Sequence, residues 1–359
     1  MAATLSPMPI ETVRGSHYEM GLQHGRAWRH VIHASVHAWA LRHDFQGTDE
    51  AADKALEPVR EGDRTFAPWV FDELRGIAEG SGVPPAWIER MHMRVWNRVP
   101  RTGLPAREGG CTGIGMLAEG GAVLVGGTLD DPRQCYVLIR RVPARGIPHV
   151  MVQWAGAGWG HNGVNAAGLC IAESSLGGTT PELRCDDPRP RVRGSMTGRI
   201  LLETCEDAPQ AIEALRRLRP TESIVLGDAK GSFASCQCFG WLGQACETAS
   251  RERDFLFNTN HIHAPELVES LAARGCMPKL TEYSITRFAV LERARAAMPR
   301  TAETMQALLR SHDGYPHSVC NDGTVTATYA QPQARPAALF VADCPPCRSE
   351  FVRYAVEAG

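Results

Sequence analysis

The residues best suited to chemistry surround Cys111, in the run Glu108-Gly109-Gly110-Cys111-Thr112-Gly113-Ile114. Glycines precede the cysteine, and the pattern after it predicts a strand. Cleavage between Gly110 and Cys111 would give Cys111 both a thiol and a free α-amine, so one residue would carry a nucleophile and its own base. Gly110 tolerates a strained backbone at such a bond because it lacks a Cβ. The pattern indicates acyl transfer, and its structural alternative is a small, buried strand cysteine.

The elements that must position Cys111 change in type along the chain. Residues 15–43 predict one helix, residues 67–97 predict two helices separated at Gly82-Val83-Pro84-Pro85, and residues 98–110 predict a loop. Beyond Cys111, apolar runs at 123–125, 136–139, 150–154 and 338–342 predict strands, residues 223–235 predict a hairpin, and residues 195–218, 281–298 and 301–311 predict helices. Helices followed by a mixed sheet favour one α+β domain.

The composition narrows the class of protein. The chain has 359 residues, of which 43% are hydrophobic and 22% charged, as in ordinary globular proteins. A net charge of −2 does not favour nucleic acid or an anionic membrane as a partner. No run of 18 apolar residues predicts a membrane span, and residues 1–9 do not resemble a signal peptide. We therefore expect a cytoplasmic protein with mostly reduced cysteines.

Several segments, in order along the chain, resemble the isopenicillin N acyltransferase family of N-terminal-nucleophile hydrolases. They are residues 15–25 and 71–80, which match its first two helices, Gly110-Cys111-Thr112, residues 126–130 and 162–169, Asn258-Thr259-Asn260-His261, Ser284 with Arg287, and residues 312–320 and 344–347. Two features depart from the family pattern: Thr128-Leu129 replaces an Asn-aromatic pair, and Ser174 stands where Asn is common.

The resemblance implies a four-layer αββα sandwich and a precursor that cuts itself between Gly110 and Cys111. Residues 1–110 would form a helical α chain and residues 111–359 a β chain, and the two would stay associated as one domain. The reaction would move an acyl group from a small thioester or amide donor to a small amine or to water. It would require no metal or other cofactor, although acyl-CoA would serve as a substrate in the family's penicillin-forming branch.

The resemblance also implies roles for individual residues. Cys111 would be the nucleophile and Asn260 the donor to the oxyanion, although Asn260 is also typical of a turn. Asp130 would contact the α-amine or the substrate, or else serve only as a turn residue. Thr112, Ser284 and Arg287 would bind the substrate. Arg287 would hold a substrate carboxylate or phosphate by a bidentate contact, or else it would be a surface arginine of the helix.

Other reactive residues carry less weight. His33 and His37 lie four residues apart on a helix with His30 nearby, and Cys344-x-x-Cys347 and Cys236-x-Cys238 have spacings found in metal sites, but we expect no metal at any of them. Adjacent His312-Asp313 cannot form the usual relay to Ser318.

Three other functions stay open at this point. The first is an N-acyl amide hydrolase on the same fold. The second is a non-catalytic binding protein in which an uncleaved chain keeps Cys111 buried. The third is a metal-dependent hydrolase, which metal analysis would reveal.

Overall fold

The structure is a computed structural model, and it describes residues 7–43, 50–93, 110–131, 136–176 and 189–356. The helices in these ranges are α1 (His17–Ala27), α2 (Arg29–His43), α3 (Glu50–Phe66), α4 (Val70–Ser81), α5 (Pro85–Met93), α6 (Gly194–Thr204), α7 (Ala208–Leu218), α8 (Pro265–Ala272), α9 (Glu282–Ala297) and α10 (Ala302–Leu309).

The strands divide into two sheets. They are β1 (Ile10–Gly15), β2 (Thr112–Leu117), β3 (Val123–Asp130), β4 (Tyr136–Pro143), β5 (His149–Trp154), β6 (Gly163–Asn165), β7 (Cys170–Ser174), β8 (Thr221–Gly227), β9 (Phe233–Phe239), β10 (Gly243–Thr248), β11 (Phe255–Asn258), β12 (Thr324–Gln331), β13 (Ala338–Asp343) and β14 (Val352–Ala355). Eight pair in the order β1-β4-β5-β6-β7-β8-β9-β10, and six in the order β11-β2-β3-β12-β13-β14. The pairs are antiparallel except for parallel β1 and β4.

Alternating side chains on the strands build separate cores on the two faces of each sheet. On β3, Val123, Val125 and Leu129 point between the sheets, whereas Leu124 points toward α9 and α10. The eight-stranded sheet has its other face covered by α1, α2 and α4 to α7. Because each sheet buries both faces, the molecule is layered helix, sheet, sheet, helix. The predicted four-layer α+β sandwich is therefore confirmed.

Two predicted helices are wrong in their extent. Residues 15–43 form α1 and α2, because Trp28 leaves helical geometry with φ −106° and ψ 19°. Residues 195–218 form α6 and α7, because Asp207 begins a new helix by accepting a hydrogen bond from the Gln210 N–H, with Pro209 in the first turn. Sequence analysis also gives no prediction for several elements, namely α3, α8, β1, β6, β7, β10, β11, β12 and β14.

Glycines allow α1 and α4 to pack backbone against backbone. A Cβ on Gly21 would overlap the carbonyl of Glu73, and one on Gly25 would overlap that of Ile77. Reciprocally, Gly76 lies against the backbone of Tyr18 and Gly80 against that of Leu22. The glycines four residues apart on each helix are therefore required by this close crossing.

A buried ionic network holds α4 and α6 on the eight-stranded sheet. Glu73 accepts hydrogen bonds from Arg141 Nε at 2.9 Å and from Arg199 Nη2 at 3.0 Å. All three side chains are buried, and Arg199 also pairs with Glu203. Burial alone would raise the pKa of Glu73, but Arg141 and Arg199 outweigh it and hold that pKa at about 2.

Removal of the Glu73 carboxylate should destabilise the fold strongly. We expect Glu73→Ala to lower the free energy of unfolding by about 3–5 kcal/mol, because it leaves two buried guanidinium groups without their shared anion. The measurement is urea denaturation in a Cys111→Ala background, which removes the thiol that we expect to cut the chain. Asp72→Ala is the matched control, because Asp72 is exposed and its pair with Arg75 lies at the surface. Equal losses in the two variants would contradict a structural role for the network.

Candidate active site

Cys111 lies immediately before β2, the strand between β11 and β3 in the six-stranded sheet. Its side chain is partly exposed and packs against the apolar core between the sheets. Burial of the sulfur and repulsion by the Asp130 carboxylate raise the pKa of the Cys111 thiol to about 12, although a hydrogen bond from the Asp130 backbone N–H acts in the opposite direction. In the uncut chain the thiol is therefore neutral near pH 7.

The guanidinium of Arg287, on α9, holds the backbone on both sides of the bond between Gly110 and Cys111. Nη1 lies 2.8 Å from the carbonyl oxygen of Gly110 and 2.8 Å from that of Cys111, and 2.9 Å from Thr112 Oγ1. The side chain is completely buried. The alternative of a surface arginine is therefore wrong, and the guanidinium faces the candidate scissile bond itself. Substrate binding by Arg287 stays a prediction.

Gly110 occupies a space that no side chain fits. A Cβ at this position would overlap Asn260 Oδ1 and Arg287 Nη2, and it would lie 2.7 Å from a ring carbon of Tyr283. Because Asn260 Oδ1 and Arg287 Nη2 are held by the hydrogen bond between them, and Arg287 Nε also donates to the Tyr283 carbonyl, these two groups cannot easily move away. The glycine before Cys111 is therefore required by packing.

Asp130 lies at the end of β3, beside the candidate scissile bond. Its Oδ1 accepts a hydrogen bond of 2.6 Å from Thr324, its Oδ2 one of 2.8 Å from Asn321, and Oδ2 lies 3.7 Å from Arg287 Nη1. Burial raises the pKa of Asp130, and Arg287 and the hydrogen bonds offset this only in part. A buried carboxylate with a raised pKa is suited to accept a proton from the neighbouring thiol.

Asn260 supports Arg287, and its side-chain N–H donates to Ser175 in the uncut chain. Its Oδ1 accepts a hydrogen bond of 2.7 Å from Arg287 Nη2, and its Nδ2 donates to the Ser175 carbonyl at 2.7 Å. The donor to the Gly110 carbonyl is therefore Arg287. The role of Asn260 as an oxyanion donor stays a prediction for the cleaved protein.

Ser284 holds the segment that carries Asn260. Its Oγ accepts a hydrogen bond of 2.8 Å from the Asn260 N–H and lies 2.8 Å from His261 Nδ1. The hydroxyl of Thr112 likewise already has a partner, because it accepts a hydrogen bond from Arg287. Both side chains are buried, so the contacts that the structure shows for them are positioning contacts. Direct substrate binding by Thr112 and Ser284 stays a prediction.

Sequence reasoning did not assign roles to four polar residues of this site. Asn321 and Thr324 fix Asp130, and the turn sequence Asn321-Asp322-Gly323 was the available indication. Asn258 pairs with Gly113 in the sheet, and Ser174 Oγ would lie 3.7 Å from a Cβ on Gly113. Within the described residues, the buried amide of Asn258 and the hydroxyl of Ser174 have no hydrogen-bond partner, which is uncommon for buried polar groups.

The other reactive residues lie outside this arrangement. His33 bonds to the Ser81 carbonyl at 2.9 Å, and the histidines at 30 and 37 are exposed. A disulfide joins Cys236 to Cys246, the residue directly opposite on β10, a pair that the sequence did not predict.

Among the residues that the structure describes, no group of three metal-ligating side chains includes Cys111 or Asp130. In the same ranges, no helix combines the length and the apolar character needed to cross a bilayer.

Comparison with known proteins gives a limited likeness. No family model and no curated protein matches the chain. Similar solved structures include the Caenorhabditis elegans ortholog of N-acylethanolamine-hydrolyzing acid amidase, at 16% identity over 69% of this chain and 100% of that one, with a TM-score of 0.46. Penicillin V acylase from Agrobacterium tumefaciens is 14% identical over 65% and 83% of the two chains, with a TM-score of 0.45.

A variant of conjugated bile acid hydrolase from Clostridium perfringens is 10% identical over 69% of this chain and 97% of that one, with a TM-score of 0.46. These values are too low to assign a family or an activity. Membership of the isopenicillin N acyltransferase family therefore stays a prediction, and the function must be inferred from the residues of this chain.

Arg287→Lys should slow the cleavage expected between Gly110 and Cys111. Lysine keeps the positive charge but loses the planar fork that reaches both carbonyls and Asn260 at once. We expect the cleavage rate to fall about 10²–10³-fold, as for loss of an oxyanion donor. The measurement is the time course of the two fragments on denaturing gels after a pulse of synthesis. Arg293→Lys, at an exposed position of α9, is the control and should cleave normally. Normal cleavage by Arg287→Lys would place carbonyl stabilisation elsewhere.

Proposed function

We propose that the protein is an acyl-transfer enzyme with Cys111 as the nucleophile, activated by cleavage of its own bond between Gly110 and Cys111. One observation carries this proposal: the carbonyl oxygen of Gly110 accepts a hydrogen bond from the completely buried Arg287, directly before a cysteine. An ordinary strand cysteine has no need of a buried cation on the preceding carbonyl. A donor fixed where negative charge develops is what acyl transfer requires.

Cleavage begins when the Cys111 thiol gives its proton to the Asp130 carboxylate and the sulfur attacks the Gly110 carbonyl carbon. Arg287 stabilises the oxyanion that forms. The bond from this carbon to the Cys111 nitrogen then breaks, the nitrogen takes up the proton, and a thioester links Gly110 to the Cys111 sulfur. Water adds to the thioester carbon, the bond from carbon to sulfur breaks, and the products are a Gly110 carboxylate, a free thiol and a free α-amine.

The cleaved protein repeats this chemistry on a small acyl donor. The α-amine of Cys111, with an ordinary pKa of about 7.7, replaces Asp130 as the acceptor of the thiol proton. The donor carbonyl takes the position that the Gly110 carbonyl occupied beside Arg287. The amine or thiol of the donor leaves, and the acyl group remains on the sulfur as a thioester. A small amine then accepts the acyl group, which makes the enzyme an acyltransferase.

Water as the acceptor would make the same site an N-acyl amide hydrolase. The two activities share every step up to the thioester, and they differ only in what attacks it. The partition of acyl groups between water and an added amine therefore separates the two functions. Neither reaction uses a metal ion or an organic cofactor, and acyl-CoA enters only as one thioester donor.

The experiment for this function begins with intact mass measurement and N-terminal sequencing of the purified protein. We expect two associated fragments, residues 1–110 and 111–359, the second beginning with Cys111. Cys111→Ala should remain a single chain. Cys205→Ser is the matched control, because it replaces a free cysteine that is buried outside the site, and it should cleave. An uncut wild-type protein that transfers acyl groups would contradict the mechanism, and an uncut inactive one would favour a binding protein.

The space around Gly110 also predicts which acyl groups react. If the donor carbonyl takes the Gly110 position, its α-carbon meets the walls that exclude a Cβ from Gly110. We expect butanoyl thioesters to exceed 2-methylpropanoyl thioesters in kcat/KM by about 10–100-fold, because overpacking by one methyl group costs about 1–3 kcal/mol. The two acyl groups have the same number of carbons, so a difference in kcat/KM reports branching at the α-carbon and not overall size. Equal kcat/KM values would show that the donor binds differently from Gly110.

A further inference from the structure

Three side chains with metal-binding atoms meet next to the loop that holds Asp130. His312, Cys320 and Cys347 each offer one nitrogen or sulfur, and these atoms all lie within 4.8 Å of one another. Cys320 is buried, Cys347 is partly buried and His312 is exposed. Nothing in the proposed reaction at Cys111 uses any of the three.

Hydrogen bonds of the protein itself bring these three residues together. The Cys320 N–H donates to the Ser311 carbonyl at 2.9 Å, which closes the loop and places Cys320 beside His312. Arg310, the residue before this loop, donates to the Pro346 carbonyl at 3.1 Å and to the Ser349 carbonyl. Arg310 therefore fixes the turn that carries Cys347 against the loop that carries the other two ligands.

The donor set selects a class of metal. Two thiols and one imidazole are typical ligands of zinc, whereas Mg²⁺ and Ca²⁺ prefer oxygen. Tetrahedral zinc binds at about 2.3 Å to sulfur and 2.0–2.1 Å to nitrogen, so its ligand atoms must lie within about 4 Å of one another. Small movements of three side chains, one of them exposed, would achieve this. We propose that His312, Cys320 and Cys347 bind one Zn²⁺, with a fourth position left for water or another ligand.

The position of this site assigns it a supporting role. Asn321 follows Cys320 directly and donates to Asp130 at 2.8 Å, and Thr324 donates to the other oxygen of that carboxylate. Bound zinc would therefore order the loop that orients Asp130, without contacting the reacting atoms. The thiols would bind as thiolates, so two protons leave as one Zn²⁺ enters.

The test measures metal binding directly and does not depend on acyl transfer. Protein in the Cys111→Ala background is reduced, treated with a chelator, and titrated with Zn²⁺ and separately with Co²⁺. We expect one ion per chain, a higher melting temperature with Zn²⁺, and the charge-transfer and tetrahedral ligand-field bands of thiolate-bound Co²⁺. Cys320→Ser, Cys347→Ser and His312→Ala should each weaken binding at least about 10–100-fold, the loss seen even for partners that only support a ligand. Cys205→Ser should bind as the parent does.

Two results would overturn the proposal. One is a reduced, folded protein that binds no stoichiometric Zn²⁺ or gives no thiolate bands with Co²⁺. The other is unchanged affinity in His312→Ala, which should fold normally because His312 is exposed. Failure of self-cleavage would leave this test intact, since the Cys111→Ala background never cleaves. Peptide mapping of protein that has not been reduced identifies the competing outcome, a Cys320–Cys347 disulfide without metal.

Discussion

The candidate site depends on one buried cation, the guanidinium of Arg287. An arginine keeps its charge when buried, so the protein must surround it with acceptors. Those acceptors are the carbonyls of Gly110, Cys111 and Tyr283, the side chains of Thr112 and Asn260, and, at 3.7 Å, the carboxylate of Asp130. The contacts that stabilise this buried charge therefore also fix the bond before Cys111 and leave no room for a side chain at residue 110. They also hold the Asp130 carboxylate beside the thiol.

Strand order explains how residues distant in sequence reach this cation. β2 lies between β11 and β3, and both neighbours run antiparallel to it. The carboxyl ends of β11 and β3 therefore meet the amino end of β2, which brings Asn260 and Asp130 to Cys111. Helix α9 packs on the outer face of this sheet through Leu291 and Ala294, and Arg287 extends from it to the same edge. The four-layer packing thus assembles the site from three strand ends and one helix.

The sequence predicted the members of this site better than their contacts. Cys111, Asp130, Asn260 and Arg287 were proposed from a family resemblance whose motifs are short local patterns, and the apolar run at 123–125 indicated the strand β3. That Arg287, and not Asn260, donates to the Gly110 carbonyl depends on how α9 packs, which no local pattern encodes. β12 was missed although its Thr-Val-Thr-Ala-Thr run alternates as a strand should. The cluster of His312, Cys320 and Cys347 was missed because only the spacing of Cys344 and Cys347 is visible in the sequence.

Burial of Cys111 creates a conflict that cleavage would resolve. The same packing that presses Gly110 against Arg287 raises the pKa of the thiol to about 12 and places a carboxylate beside it, so the uncut chain strongly disfavours the thiolate. The nucleophile must then lose its proton during attack, to a base whose own pKa burial has raised. Cleavage replaces an amide nitrogen, which cannot act as a base, with an amine that can. Reactivity toward external acyl donors would therefore arise only after the chain has folded and been cut. Before that point the Cys111 thiol would stay protonated and unreactive toward such donors.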